Sequence, residues 1–545
     1  MSDKVANSFF QQDYHGVRVL VLAPHPDDEI NVAGNMIYSL GHMGAEVFVL
    51  YSTNGDFDCP PEKRFAEVED ALELLGVDAD HYALLGYGDT YNGSGKPQHV
   101  YHAQTTMCSP AGHRETYGIT GHEDYHFIKH GQHSAYTKAN FLSDLQEYIL
   151  DIQAEIIFCV DFDLHADHRA LSLAFEQAME NILSRKDNAY YPTVYKRFAY
   201  ATGFTAIRDF SAMNLQETKR PVAGKVESYH YDLVDKSVYQ WDKRVRFPVH
   251  SNLRKGLFKE NPLAQAIFRH SSQHNEKNAY GLLNSDEIFW ERRTDDLACK
   301  AEITASSGNV QPMRAFLRLH PMDINAEIPR WQHELWRPEQ GDKAKQLHYQ
   351  WEQPQTIEQI CLYGAMCDTV SVKEIRIMFP DGEILTVGPL PIDGAPLVVD
   401  VNKKDVLALT IQLNSMVGEY GGLSACEIFP SRFGKTIIKP FVKITLDDNF
   451  VYNYGCQKDD REIQLSCYKY GTSQAVSYEV LSGNAQIVEE RLIWDDNGPV
   501  TLKAVLVDDS SVYDIAVLYR WGIKDRLINT IRNFANRLYI KWVKA

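Results

Sequence analysis

The sequence predicts an α/β domain built on a mostly parallel sheet, then two β-sandwich domains, then a C-terminal amphipathic helix. Three observations carry this reading. Short apolar runs alternate with helix-period segments over residues 17–183, as in strand–helix–strand units. From about residue 298 the texture changes to period-2 segments divided by turn signals. Residues 522–545 carry apolar side chains at helical spacing. A chain of 545 residues is also too long for one hydrophobic core.

Residues 17–23 (VRVLVLA) form a nearly continuous apolar run, the pattern of a strand buried on both faces. Helix is expected from about 29 to 42, strand over 47–51, helix over 61–75 with Gly76 just past its end, and strand over 82–85. Helix over 141–152, strand over 155–160 and helix over 168–183 complete a Rossmann-like alternation with helices on both faces. Between Gly86 and Ala139 the periodicity dissolves. Glycines and prolines crowd this stretch, with His99, His102, His113, His122, His126, His130 and His133. A connection of this length is either a binding loop or lid, or a decorated surface loop with solvated histidines.

Segments 346–351, 360–363, 372–378, 398–401 and 409–413, with turns at Pro380-Asp381-Gly382 and Asp393-Gly394, read as one β-sandwich. A second β run begins near Ile437 and continues through 476–480 and 512–518. The expected domains are 1–297, 298–434 and 435–521, followed by the helix over 522–545. In that helix Ile523, Leu527, Ile531, Phe534, Ala535, Leu538 and Trp542 share helical spacing. Lys524, Arg526, Arg532, Arg537, Lys541 and Lys544 stand against one acid, Asp525. A helix of this kind lies at an anionic membrane surface, or docks on its own β-domain or on a twin subunit.

The formal net charge of −18 argues against a general nucleic-acid binder. No run approaches the ~18–20 apolar residues of a membrane span. The first residues, MSDKVANSFFQQDYHG, lack an apolar signal core. Nine scattered cysteines without a CxxC fit a reduced, cytoplasmic chain.

Two short clusters carry the chemistry. Pro24-His25-Pro26-Asp27-Asp28-Glu29 follows the first buried strand, and His165-Ala166-Asp167-His168 follows the strand ending at Val160. In open α/β sheets ligands bind beyond the carboxyl ends of the strands, so both clusters fall on one sheet edge. Two imidazoles and one carboxylate hold zinc or ferrous iron and leave positions open for water and substrate. The remaining carboxylates and histidine provide a base and an orienting partner.

At these residues the sequence resembles the LmbE/PIG-L family of zinc-dependent N-acetylglucosaminyl deacetylases. Thr53-Asn54-Gly55-Asp56, Arg64-Phe65-Ala66-Glu67, Leu75-Gly76-Val77, Asp89 and Ser272-Gln273 extend the resemblance over roughly residues 15–295. The resemblance implies His25, Asp28 and His168 as metal ligands and Zn2+ as the cofactor, with Fe2+ or another divalent metal as alternatives. It implies Asp27 as general base, His165 as the group that stabilises the oxyanion or protonates the amine, and Asp167 as orienter of His165. It implies Arg64 and Asp89 as sugar contacts. The expected reaction is removal of acetate from an N-acetylated amino sugar, with a lipid-linked sugar of surface polysaccharide assembly as one candidate.

Residues 298–432 resemble, less closely, a discoidin-type galactose-binding-like module through Trp331, Trp336, the strand at 347–351 and the closing segment 422–429. Two other readings compete. The same ligands serve a 2-His-1-carboxylate iron oxygenase, although those sites usually ride on β-barrels. Alternatively the chain is a glycan-binding scaffold with a relic metal site.

Overall fold

The computed structural model of the protein describes residues 5–90, 100–161, 165–199, 210–219, 239–277, 279–314, 316, 335–367, 370–418, 421–457 and 460–544. His99 and Trp331 lie outside the described residues.

The elements up to residue 292 are, in order, β1 (Ala6–Asn7), β2 (Arg18–Ala23), α1 (Asp28–His42), β3 (Glu46–Thr53), α2 (Pro61–Leu75), β4 (Tyr82–Tyr87), α3 (Tyr125–His130), α4 (Lys138–Ile152), β5 (Ile156–Val160), α5 (Ala166–Leu183), β6 (Thr193–Arg197), β7 (Val245–Pro248), α6 (Pro262–Arg269), α7 (Ala279–Leu282) and β8 (Asp286–Arg292). Seven of these strands form one sheet in the order β4-β3-β2-β5-β6-β8-β7. The pairs from β4 to β6 are parallel, while β8 runs antiparallel to β6 and β7.

Every residue of β5 is buried, as are the last five of β2. Successive side chains in a strand point to opposite faces, so both faces of the sheet are covered. The chain leaves β2 toward β3 on one side and returns to β5 on the other. That reversal opens a crevice at the carboxyl ends of β2 and β5. Helix α2 ends as expected at Gly76, whose φ of 79° closes the helix in the left-handed region that favours glycine.

A second sheet is wholly antiparallel. Its path runs Ile384–Val387, Ser371–Met378, Leu397–Val417, Gln346–Gly364, Leu423–Phe429, with Glu302–Ala305 also on Gln346–Gly364. Segments expected as separate strands are here continuous: 346–351 joins 360–363, and 398–401 joins 409–413. Register shifts between Gln350/Gln355, Gln355/Ile357 and Ile357/Gln359 bend the pair without breaking it.

The C-terminal β region holds three smaller sheets, and the largest includes β1. Ala6 pairs with Ile515 and Asn7 with Asp514. The expected first domain, 1–297, therefore yields its first strand to a sheet formed mainly by residues after 450. The two regions also share a core, because Phe9, Ile438, Phe441 and Tyr470 pack in one apolar cluster with the main sheet. The Tyr195 and Tyr470 hydroxyls meet at 2.5 Å. Arg246 bridges Asp286 (2.7 Å) and Asp448 (2.6 Å).

Asp514 ties this arrangement together. It is fully buried, accepts from Asn7 Nδ2 (2.8 Å) and Ile444 N (2.9 Å), and pairs with the buried Lys443 ammonium (2.7 Å). Burial pulls the Lys443 pKa down, and Asp514 offsets that only in part. Asp514→Ala strands a buried cation and is expected to destabilise the C-terminal region by about 3–5 kcal/mol. Urea unfolding followed by near-UV dichroism measures this; an unshifted midpoint contradicts the role given to the pair.

Candidate metal centre and active site

The loop after β2 is pinned before it reaches α1. Pro24 O accepts from Thr53 N (3.0 Å) and Thr53 Oγ1 (3.0 Å), and His25 O accepts from Asp27 N (2.9 Å) and Asp28 N (3.1 Å). Helix α1 then starts at Asp28, and α5 starts at Ala166 with His165 as its N-cap. Two helix N-termini thus meet at the crevice, and their dipoles favour the carboxylates of Asp28 and Asp167 in their first turns.

Asp28 Oδ2 lies 2.9 Å from His25 Nδ1 and 3.1 Å from His168 Nε2, all three residues buried. Its other oxygen accepts from Asn31 Nδ2 (3.1 Å). Ring nitrogens of His25, His165 and His168 lie within 4.8 Å of one another. Donor atoms each about 2.0–2.2 Å from one ion stand about 2.8–3.6 Å apart at octahedral to tetrahedral angles. The two contacts of Asp28 fall in that range, and the neighbouring groups whose donor atoms all lie within 4.8 Å of one another are His25, His165 and His168, and His25, Asp89 and Asp167.

The electrostatics point the same way. Burial works against charging His25, yet Asp89, Asp167 and Asp28 hold its pKa well above the usual imidazole range. Burial pushes the Asp28 carboxyl up, but His168 and His25 pull it well below the usual carboxylate range. Burial and the neighbouring His25 and His168 push His165 down to about 3. Asp89 is raised, chiefly by burial and with Asp167 adding, against the pull of His25 and Arg64. The carboxylates thus favour positive charge at His25, which suits a cation as it does a proton, and a metal ion there would displace that proton.

Asp167, expected to orient His165, sits instead on His25. Its Oδ2 is 3.0 Å from His25 Nε2 and 3.6 Å from His165 Nδ1, and it also accepts from Thr90 N (3.1 Å). His25 thus has Asp28 on one ring nitrogen and Asp167 on the other. His165 Nδ1 accepts from Asp167 N (3.3 Å), which leaves the proton of the neutral ring on Nε2. The reason is local: as N-cap, His165 turns its ring onto its own helix terminus.

Arg64 and Asp89, expected as sugar contacts, are both buried and engaged by the protein. Arg64 donates to Asp27 Oδ1 (2.9 Å), Pro26 O (3.2 Å) and Gly55 O (3.3 Å). Asp89 accepts from Gly55 N (3.0 Å) and lies 3.6 Å from Arg64 Nη1. Both brace the loop that carries Asp27.

One partner escaped the sequence reading. Asn275 Nδ2 donates to Asp27 Oδ2 at 2.7 Å, so both carboxylate oxygens are fixed. Its segment is held by Glu67, which accepts from Ser271 Oγ (2.9 Å), Ser272 N (2.9 Å) and Ser272 Oγ (2.6 Å), and by the buried Glu29–His270 pair (2.7 Å). Ser272-Gln273 was the only signal there, and nothing in spacing connects it to Asp27. The histidines of the long connection are used elsewhere. His122, His126, His130 and His133 pair with Glu69, Asp144, Glu147 and Asp124, and His113 stacks on Tyr117. Tyr117 in turn donates to Asp56 (2.7 Å), which packs the described part of this connection beside the site.

The geometry predicts one divalent ion per chain by elemental analysis. Asp28→Ala is expected to weaken zinc binding by more than ~100-fold, and Asp167→Asn by about 10–100-fold through loss of the His25 partner. Unchanged zinc stoichiometry in Asp28→Ala contradicts the assignment.

Comparisons with known proteins come to the same region. Residues 20–179 match the family PIG-L: GlcNAc-PI de-N-acetylase, and residues 296–429 match a domain of unknown function, DUF7402. No curated protein sequence is a match. Among solved structures, the chain is similar to the N,N'-diacetylchitobiose deacetylase of Pyrococcus horikoshii, with 18% identity and a TM-score of 0.22 over 34% of this chain and 62% of that one. It is similar to a deacetylase of the teicoplanin biosynthesis pathway, with 16% identity and a TM-score of 0.30 over 50% and 97%. It is also similar to the CBM32 of AlyQ, with 12% identity and a TM-score of 0.17 over 24% and 95%. Residues 20–179 are thus similar to the PIG-L de-N-acetylase family, and the buried His/Asp cluster of this region is a candidate divalent-metal site.

Proposed function

We propose that this protein is a metal-dependent hydrolase that removes the N-acetyl group from an N-acetylated amino sugar and releases acetate. One observation supports the reading: a buried His/Asp cluster stands beside a separate carboxylate, Asp27, whose two oxygens are fixed by Arg64 and Asn275. His25, Asp28 and His168 would hold Zn2+. The bound ion supplies Lewis acidity toward the amide carbonyl and makes water a stronger acid.

The chain's own groups do the rest. Asp27 takes the proton of the attacking water, and Arg64 and Asn275 hold its two oxygens in place for that task. His165 is held neutral and would donate to the oxygen of the tetrahedral intermediate. Asp167 keeps His25 in the ligand tautomer. The amine then leaves protonated, and the sugar is released with a free amino group. A glycoconjugate of the GlcNAc type, lipid-linked in surface polysaccharide or glycolipid assembly, is the substrate we favour, in the cytoplasm. The antiparallel region matched at 296–429 would act as a discoidin-like sugar-binding module.

Acetate release from a panel of N-acetylated sugars, nucleotide sugars and lipid-linked sugars tests the reading on the zinc-loaded protein. Asp27→Asn is expected to retain zinc and to lower kcat by about 10²–10⁴-fold; full turnover in this variant refutes the assignment of the base. Asn275→Ala should also retain zinc. It is expected to lower kcat more than it raises KM, because Asp27 loses one of its two fixed partners.

A further inference from the structure

The C-terminal helix α8 (Ile523–Lys544) docks with its polar stripe inward. Asn529 Oδ1 accepts from Met213 N (3.2 Å) and Ser211 Oγ (3.3 Å). Asn533 accepts from Ala212 N (3.1 Å) and donates to Phe210 O (2.9 Å). Asn536 accepts from Phe258 N (2.9 Å) and donates to Gly256 O (2.8 Å). These amides pair with backbone, and with Ile540 in the core they fix the rotation of the helix.

The opposite stripe is left in water. Ile523, Leu527, Ile531, Phe534, Leu538 and Trp542 are 50–89% exposed. A helix that packs to stabilise a globular core turns such residues inward. At 1.5 Å per residue the apolar stripe runs about 30 Å. Lys524, Arg526, Arg537, Lys541 and Lys544 flank it and are themselves exposed.

We propose that this stripe is a membrane-docking surface, and that α8 lies in the headgroup layer of an anionic bilayer while its asparagines keep it attached to the body. The charge selects the occupant. Laying two copies stripe to stripe would gather Arg526, Arg537 and Lys541 of both along one seam, with Asp525 as the one acid of each helix. Anionic headgroups complement that rim, and Trp and Phe suit the boundary between headgroup and acyl chain. Among the described residues no helix is long and apolar enough to cross a membrane, so α8 would lie on the surface rather than span it.

The docked helix also reaches the candidate site. Lys544 pairs with Glu276, and the neighbouring Asn275 holds Asp27. Tyr539 donates to Gln265 (3.1 Å) and packs on Phe268 of α6. The helix would therefore stand between a membrane on its apolar stripe and the segment that completes the site. The membrane inference itself does not rest on the deacetylase reading.

Flotation of the full chain with vesicles decides it. Binding is expected to phosphatidylcholine vesicles containing about a third phosphatidylserine, with at least ~10-fold weaker binding to phosphatidylcholine alone or in ~0.5 M salt. The double variant Phe534→Gln/Trp542→Gln and, separately, Arg537→Gln/Lys541→Gln should each weaken binding ~10-fold or more. These side chains are exposed, so both variants should keep the parent's dichroism spectrum and unfolding midpoint. The proposal is overturned if the full chain ignores anionic vesicles, or binds both vesicle types equally. It is also overturned if Phe534→Gln/Trp542→Gln leaves binding intact, or if light scattering shows a dimer that this variant dissolves. Acetate release plays no part in this readout, so failure of the enzyme reading leaves the result interpretable.

Discussion

Asp28 shares one carboxylate oxygen with two imidazoles, and that shared contact organises the N-terminal domain. A buried carboxylate is costly unless positive or donor groups surround it. Here His25 approaches from the same loop and His168 from the start of α5, and Asn31 serves the second oxygen. The crossover of the sheet places the ends of β2 and β5 side by side, and the two helix N-termini favour the negative charge. Asp167, Arg64, Asn275 and Asp89 then each fix a group that touches this pair or stands beside it. Removing any of them leaves a buried polar atom with less compensation, so the network is mutually supporting.

The α/β domain is not a free-standing module. Its first strand belongs to the C-terminal sheet, and Phe9, Phe441 and Tyr470 share its core. The last helix returns to lie against Phe210–Met213 and Gly256–Phe258 through side chain–backbone amide pairs. Gly256 lets the two segments that receive the helix pack on each other, because a Cβ there would meet Ala212 O at 1.7 Å. Both ends of the chain thus buttress the domain that carries the candidate site. The segment with Ser272 and Asn275 is gripped by Glu67 and Glu29 on one side and by Lys544 on the other.

What the sequence by itself determined is the part governed by short-range periodicity. The strands at 17–23, 47–51, 82–85 and 155–160 and the helices that follow them are visible because apolar residues recur at fixed spacing. The two clusters were legible for the same reason, since each directly follows a buried strand. The antiparallel character after residue 298 could be read, but not the continuity of Gln346–Gly364 and Leu397–Val417, because a bulged, solvent-facing stretch of strand has the composition of a turn.

Tertiary structure decided the rest. Whether Asp167 serves His25 or His165 depends on a 0.6 Å difference set by how α5 meets β2. Asn275 reaches Asp27 across 248 positions, and no local pattern encodes that distance. The apolar spacing of α8 was plain, yet its direction was not: amphipathicity gives two faces, and only the partners say which one is inward. Here the asparagines found unpaired backbone groups to satisfy, while the apolar stripe did not find a core. Local sequence sets which contacts each element can make; the packing of distant elements selects among them.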